Sequence, residues 1–181
     1  MTAASPVKTD FKARFTTAEF LQMCAVDAFP DMKIELVDGQ LERHDLAMNR
    51  HAMLQGQVWF ALAGVLDAAV LLGTVGIILG RDTVVACDGA ILRKPVTENR
   101  MLVPDDIALV IEVAETTLAR DMGMKRIKYA SAGIATYWVI DGARSVVHVF
   151  AEPVDGDYAE VNTVRFGAPL AVPGAGTIVI D

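Results

Sequence analysis

The sequence predicts an α/β (α+β) fold, a mixed β-sheet flanked by helices. Three features carry that prediction. Ile107 to Val113 form an apolar run interrupted only by Glu112, the pattern of a central strand covered on both faces. Apolar residues recur at helical spacing on either side of it, at Leu54, Val58, Ala61 and Val65 and again at Leu118, Met122 and Tyr129. Asp-Gly pairs at 38–39 and 141–142 separate β-prone runs, where they supply tight turns.

Taken in order, Thr16 with Glu19 three residues on reads as a capping box, opening a helix of about 8–10 residues that ends before Pro30. Ile34–Val37, Asp38-Gly39 and Gln40–Arg43 read as a hairpin, with Glu35 facing away from Ile34 and Leu36. Asn49 is placed to cap a long, largely buried helix reaching about Leu72, with His51 in its first turn. Val75–Leu79 and Thr83–Leu92 read as strands, the second interrupted by Asp88-Gly89. The polar stretch Lys94–Met101, with Pro95, is a loop. After the Ile107–Val113 strand, Thr116 or Thr117 caps a helix that runs to Ala132 and stops at Gly133. Thr136–Ile140 and Ser145–Phe150 pair across a turn, and Tyr158–Phe166 and Thr177–Ile180 form short edge strands.

With 181 residues, 53% hydrophobic and 22% charged, the chain can bury one core and is unlike a disordered segment. A tail over 1–14 and one domain over 15–181 are expected. The net charge of −7 counts against a broad clamp on nucleic-acid phosphates and leaves room for a small basic patch. Met1–Asp10 lacks the apolar core of a secretory signal, so Cys24 and Cys87 are expected as reduced thiols in a cytoplasm. From Val58 to Gly80 the only charge is Asp67. A carboxylate mid-span costs about 2.5–3.5 kcal/mol, and Gly73 and Gly76 break the run, so a buried helix followed by a strand is expected instead of a membrane span.

Two acids carry the chemistry. A carboxylate inside an apolar strand is costly unless it is paired or binds a metal. Glu112 is in that position, and Asp88 interrupts a second apolar strand. At the ends of neighbouring strands the two could hold one Mg²⁺ (or Mn²⁺), which would polarise a phosphoryl oxygen and activate a water. Lys125 shares a face with Leu118, Met122 and Tyr129, at spacings of 4, 3 and 4, and can aim its ammonium at the sheet edge. Pro104-Asp105 imitates a "PD…E" pattern with Glu112. Seven residues of strand span about 23 Å, however, too far for one metal, so Asp105 reads as the strand entry.

Several stretches resemble the Uma-two family of bacterial restriction endonucleases in the PD-(D/E)XK nuclease superfamily. They are Cys87-Asp88-Gly89-Ala90, Ile111-Glu112-Val113, Arg120-Asp121 to Lys125 and Tyr129, and Ala132 to Asp141, together with the Ile34–Gly39 hairpin and His51. The resemblance covers about residues 15–165. It implies a restriction-endonuclease-like fold, with Asp88 and Glu112 as the motif's acids. The superfamily's lysine position, two after the glutamate, is Ala114 here, and Lys125 on the next helix matches the family's lysine. Cys87 stands where the family often has proline. Glu35, His51 and Asp121 are possible additional site residues. DNA is the expected partner and a homodimer is left open as an assembly.

Plainer readings stand beside these. Asp88 before Gly89 also suits a turn or bulge, and Lys125 could pair with Asp121 on its own helix. Glu35 and His51 also suit exposed positions. Tyr137-Trp138 reads as core in preference to a base-stacking platform. Arg93, Lys94, Arg100, Arg126 and Lys128 read as surface charges that could also meet phosphates. The functional alternative to a nuclease is a non-catalytic nucleic-acid- or protein-binding module on the same fold.

Overall fold

A computed structural model describes residues 12–44 and 48–181. The expected 1–14 tail therefore lies outside the described residues except for its last three. Helix α1 (Thr17–Ala25) opens on the expected capping box, with the Thr16 side chain accepting from the Glu19 N–H and Glu19 accepting from the Thr16 N–H. Strands β1 (Lys33–Val37) and β2 (Gln40–His44) pair antiparallel through Asp38 and Gly39, both at positive φ as a tight hairpin turn requires.

Helix α2 (Asn49–Ala63) is shorter than its sequence pattern predicts. It stops at Gly64, and a 3₁₀ turn (Ala68–Val70) leads into β3 (Leu71–Leu72). Asp67, the lone charge of that apolar stretch, accepts from the Ala69 N–H and so caps the turn. The expected Asn49 cap is also displaced. Met48 is the N-cap and makes no side-chain bond, while Asn49 accepts from the adjacent Arg50 N–H.

The predicted Thr83–Leu92 strand divides at Asp88. Its first half, β5 (Val84–Cys87), lies between β1 and β4 (Val75–Ile78) in a four-stranded sheet ordered β2-β1-β5-β4. Its second half, β6 (Gly89–Leu92), joins β7 (Ile107–Ala114) in a six-stranded sheet. There the order is β10-β9-β8-β7-β6-β3, with β8 (Thr136–Asp141) parallel to β7 and the other pairs antiparallel. The longer hairpin β9 (Val146–Val154) and β10 (Asp157–Arg165) extends that sheet. A small pair, β11 (Leu170–Ala171) and β12 (Thr177–Ile178), closes the chain. Asp105 lies in the 3₁₀ turn entering β7 and is exposed, as its reading as a strand entry requires.

The helix after β7 is not uniform. It comprises α3 (Leu118–Arg120), a π-helical segment (Asp121–Lys125) and α4 (Arg126–Ser131), and it ends at Gly133, which has φ +79°. Leu118, Met122 and Tyr129 pack on one side of the larger sheet, with Val110, Tyr137 and Phe150. Val58 and Leu62 of α2 cover the other side, against Ile111, Val113 and Trp138. Tyr137 and Trp138 are fully buried, which settles them as core. No described helix is long and apolar enough to cross a membrane.

Candidate functional site

The division at Asp88 builds the site. Two sheets part there, so Asp88 stands in the gap between them and not within a ladder. Gly89 follows because nothing larger fits. A Cβ on it would lie 1.7 Å from Cη2 and 1.9 Å from Cζ2 of the Trp59 indole on α2. The register Gly89↔Ile111, continued one step, brings Asp88 level with Glu112. Asp88 Oδ2 accepts from the Val113 N–H at 2.8 Å, and its carbonyl accepts from Gln55 Nε2 at 2.8 Å. His51 Nε2 lies 3.3 Å from Asp88 Oδ1, so the histidine of the first α2 turn also reaches this point.

Glu112 faces the opposite side of β7 from Ile111 and Val113 and is 3% exposed. Its Oε1 accepts from Lys125 Nζ and from the Tyr129 hydroxyl, both at 2.7 Å. Among the described residues its Oε2 accepts no hydrogen bond. Burial pushes the Glu112 carboxyl up to about 8, against the pull of Lys125 and with the Asp121 and Asp88 charges adding to the rise.

Lys125 also donates to the Ala86 carbonyl at 2.7 Å and stands 3.6 Å from Glu35 Oε1. Burial opposes its charge, but Glu112 and Glu35 together outweigh that and hold it protonated above the ordinary lysine range. Three strands, β7, β5 and β1, thus converge on one ammonium carried by the helix.

Glu35 is buried, not an exposed hairpin acid. Its Oε1 accepts from the Ala86 N–H at 2.8 Å, and its Oε2 accepts from Arg120 Nη2 at 2.6 Å. His44 Nε2 lies 2.8 Å from the same oxygen. Burial alone would raise its pKa, but His44, Lys125 and the Ala86 N–H outweigh it and hold the carboxyl at about 2. Two carboxylates on one lysine are therefore driven apart, because Glu112 is the more deeply buried and Glu35 accepts from further donors that Glu112 lacks.

The π-helical segment places Asp121. The Arg126 N–H reaches back five residues to the Asp121 carbonyl, and the Tyr137 hydroxyl also donates to that carbonyl. Asp121 and Lys125, at the two ends of this segment, are both buried, and π insertions are frequent at functional sites. Asp121 Oδ2 accepts from the Thr117 hydroxyl at 2.6 Å, and burial raises its pKa. The plainer alternative, a Lys125–Asp121 pair, does not form among the described residues; Lys125 turns to Glu112 instead.

Asp88, Glu112, Lys125, Glu35, His51 and Asp121 all line one cleft of about 820 Å³. The sequence reading passed over two further lining residues, His44 and Arg120. The signal was present in β2: Glu42 and His44 alternate, and their register partners are Glu35 and Lys33, so the hairpin has one polar face. Arg120 bridges that face, pairing with both Glu35 and Glu42. Of the candidate phosphate-binding cations, Arg100 pairs with Asp106, Arg126 with Asp157 and Lys128 with Asp38, whereas Arg93 and Lys94 are exposed.

No group of three or more His, Cys, Asp or Glu that could cage a metal occurs among the described residues. Mg²⁺ commonly takes one or two carboxylates and completes its shell with water and substrate phosphate. Asp88 and the Oε2 of Glu112 are the two carboxylate donors that would serve such an ion.

The profile of the family described as "Uma2: Putative restriction endonuclease" matches residues 17–178. A solved structure described as a putative nuclease belonging to DUF820, from Anabaena variabilis ATCC 29413, is similar at a TM-score of 0.64 and 17% identity. The likeness covers 88% of this chain and 89% of that one, and at such identity it is a likeness of fold. Comparison with curated proteins produced no match.

Proposed function

The chain belongs to the Uma2 family, and we propose that it is a metal-dependent endonuclease that hydrolyses phosphodiester bonds in DNA. The observation that carries the reading is the meeting of Asp88 and Glu112 in one cleft, with Lys125 bonded to Glu112. Asp88 and Glu112 would hold Mg²⁺ (or Mn²⁺), which when bound supplies an activated water and neutralises phosphoryl charge. Lys125, held protonated, places a fixed positive charge where the non-bridging oxygens gain negative charge. Tyr129 and the Ala86 carbonyl fix the partners of that charge, so little reorganisation is needed. Glu35 orients Lys125 from the far side and draws Arg120 and His44 to the cleft wall, where they can meet phosphate.

One observation favours a second reading, a non-catalytic nucleic-acid- or protein-binding module. Glu112 is almost wholly enclosed and already satisfies two donors, as a purely structural ion pair would. Plasmid cleavage with Mg²⁺, Mn²⁺ or chelator separates the two readings when run beside calorimetric Mg²⁺ titration. The nuclease reading expects metal-dependent nicking that Glu112→Gln removes along with most metal affinity. Metal binding without cleavage supports the module; the absence of both refutes the proposed metal site.

A further inference from the structure

The cleft has a second end that the chemistry at Asp88 and Glu112 leaves unused. Met32, Ile34, Met48 and Met101 line it together with the charged groups. Met32 is 38% exposed and Met48 67% exposed, so apolar side chains stand open to solvent beside a polar centre. Lys33 and Arg43 also line the cleft, both exposed, and neither forms an ion pair among the described residues. Lys33 pairs in register with His44, and Ile34 with Arg43, so these residues form the open end of the β1–β2 hairpin. Glu35, which approaches Lys125, follows Lys33 by two residues, a step of roughly 7 Å along the strand.

We propose that the substrate of this cleft is an unpaired DNA strand, its bases against the methionine wall and its flanking phosphates on Lys33 and Arg43. The inference deepens the nuclease reading and rests on it. Depth favours a single strand. Glu112 and Lys125, which the scissile phosphate has to approach, are 3% and 5% exposed, so that phosphate must descend to the floor of the cleft. A cavity of about 820 Å³ falls in the range of about 300–1,000 Å³ that encloses a small ligand. It admits a nucleotide with its base, but not the second strand that a duplex carries alongside.

The wall favours the same occupant. A thioether against an aromatic ring is a favourable contact, and methionine adapts its shape to what it meets. Every base has a π-face, so such a wall takes bases without reading their sequence. In a duplex those faces are already stacked on their neighbours. Charge agrees with both. Gripping a duplex by phosphate neutralisation calls for a broad basic surface. Here the net charge is −7, and Arg100, Arg126 and Lys128 are each paired with an aspartate. Two free cations at one end of a cleft suit a strand that passes only a few phosphates.

Fluorescence anisotropy and cleavage by the full chain, with a short labelled strand and with its blunt duplex, test the proposal. Binding is measured in chelator, where it does not depend on catalysis, and cleavage with Mg²⁺. The strand is expected to bind and to be cut at least roughly 10-fold better than the duplex. Met32→Ser with Met48→Ser should weaken strand binding roughly 3- to 150-fold, the loss of two thioether–ring contacts. Lys33→Gln with Arg43→Gln should lower the slope of log Kd against log salt by about 1.4, about 0.7 for each phosphate contact to a single strand. Lys94→Gln, exposed and outside the cleft, should change neither quantity. All five positions are exposed, and circular dichroism confirms that each variant is folded. A duplex bound as tightly as the strand, or cut as fast, overturns the proposal and leaves the nuclease reading standing. Absence of binding to either form also overturns it. A strand preference indifferent to both methionines overturns the placement of the bases. Methionine-dependent strand binding without cleavage under Mg²⁺ or Mn²⁺ upholds the strand site and refutes the nuclease reading instead.

Discussion

Gly89→Ala should destabilise the protein through a single ring. The added methyl would lie within 1.9 Å of two Trp59 carbons, whereas non-bonded carbons rest at about 3.5–4.0 Å. Either the indole or the β5–β6 junction must therefore yield by roughly 2 Å. Overpacking of this kind typically costs about 1–3 kcal/mol. In a domain of this size that corresponds to a fall in Tm of roughly 2–12 °C. Gly89 does not adopt a positive φ, so steric conflict and not backbone conformation is the expected cause. Urea unfolding followed by far-UV circular dichroism measures the effect without relying on tryptophan fluorescence. Trp59→Leu supplies the partner variant, since it removes the obstructing ring atoms. The double variant should be more stable than the sum of the single losses allows, with a coupling of about 1–3 kcal/mol. Additivity within about 0.5 kcal/mol would show that the ring is not what excludes a side chain at 89, and the account of how Asp88 is positioned would fail with it.

Two further outcomes follow from the buried charges. Lys125→Met removes the buried cation beside Glu112 and should cost about 3–5 kcal/mol above pH 8, where that carboxyl is ionised, and less at neutral pH, where it is largely protonated, while Glu112→Gln in that background should recover part of the loss. Chemical denaturation of the four proteins checks this, and equal stability of wild type and Lys125→Met would contradict the ion pair. Glu35 titrates at about 2 in the fold against an ordinary 4.5, so its contribution is complete above about 4.5 and disappears as the pH falls through 2. That shift corresponds to roughly 3 kcal/mol, so the stability advantage of wild type over Glu35→Gln should narrow progressively between pH 4.5 and 2 in urea titrations.

Much of the local structure was legible from residue type alone. The α1 capping box, the Asp38-Gly39 turn and the β7 run follow from bonding and burial rules that act within a few residues. Apolar periodicity failed at α2, where it continued past Gly64 into a turn and a strand. The turn is as apolar as the helix before it although none of its residues is buried, so residue type alone does not mark where α2 ends. The sequence also could not place the π-helical turn, because residue types alone do not show where one backbone bond closes five residues back and not four.

For the site, the sequence by itself determined which groups had to be accounted for. Glu112 and Asp88 interrupt apolar strands, and an enclosed carboxylate demands a cation wherever the chain goes. It also put Lys125 on the inner face of the following helix. What only the tertiary structure decided was the pairing. Lys125 bonds to Glu112 and approaches Glu35 rather than Asp121, Arg120 joins Glu35 to Glu42, and His51 arrives at Asp88 from the far side of the sheet. The physical reason is range. Burial cost belongs to each residue and is readable in its neighbours along the chain, but the partner that relieves it is set by sheet register, the parting of two sheets at Asp88 and one widened helical turn.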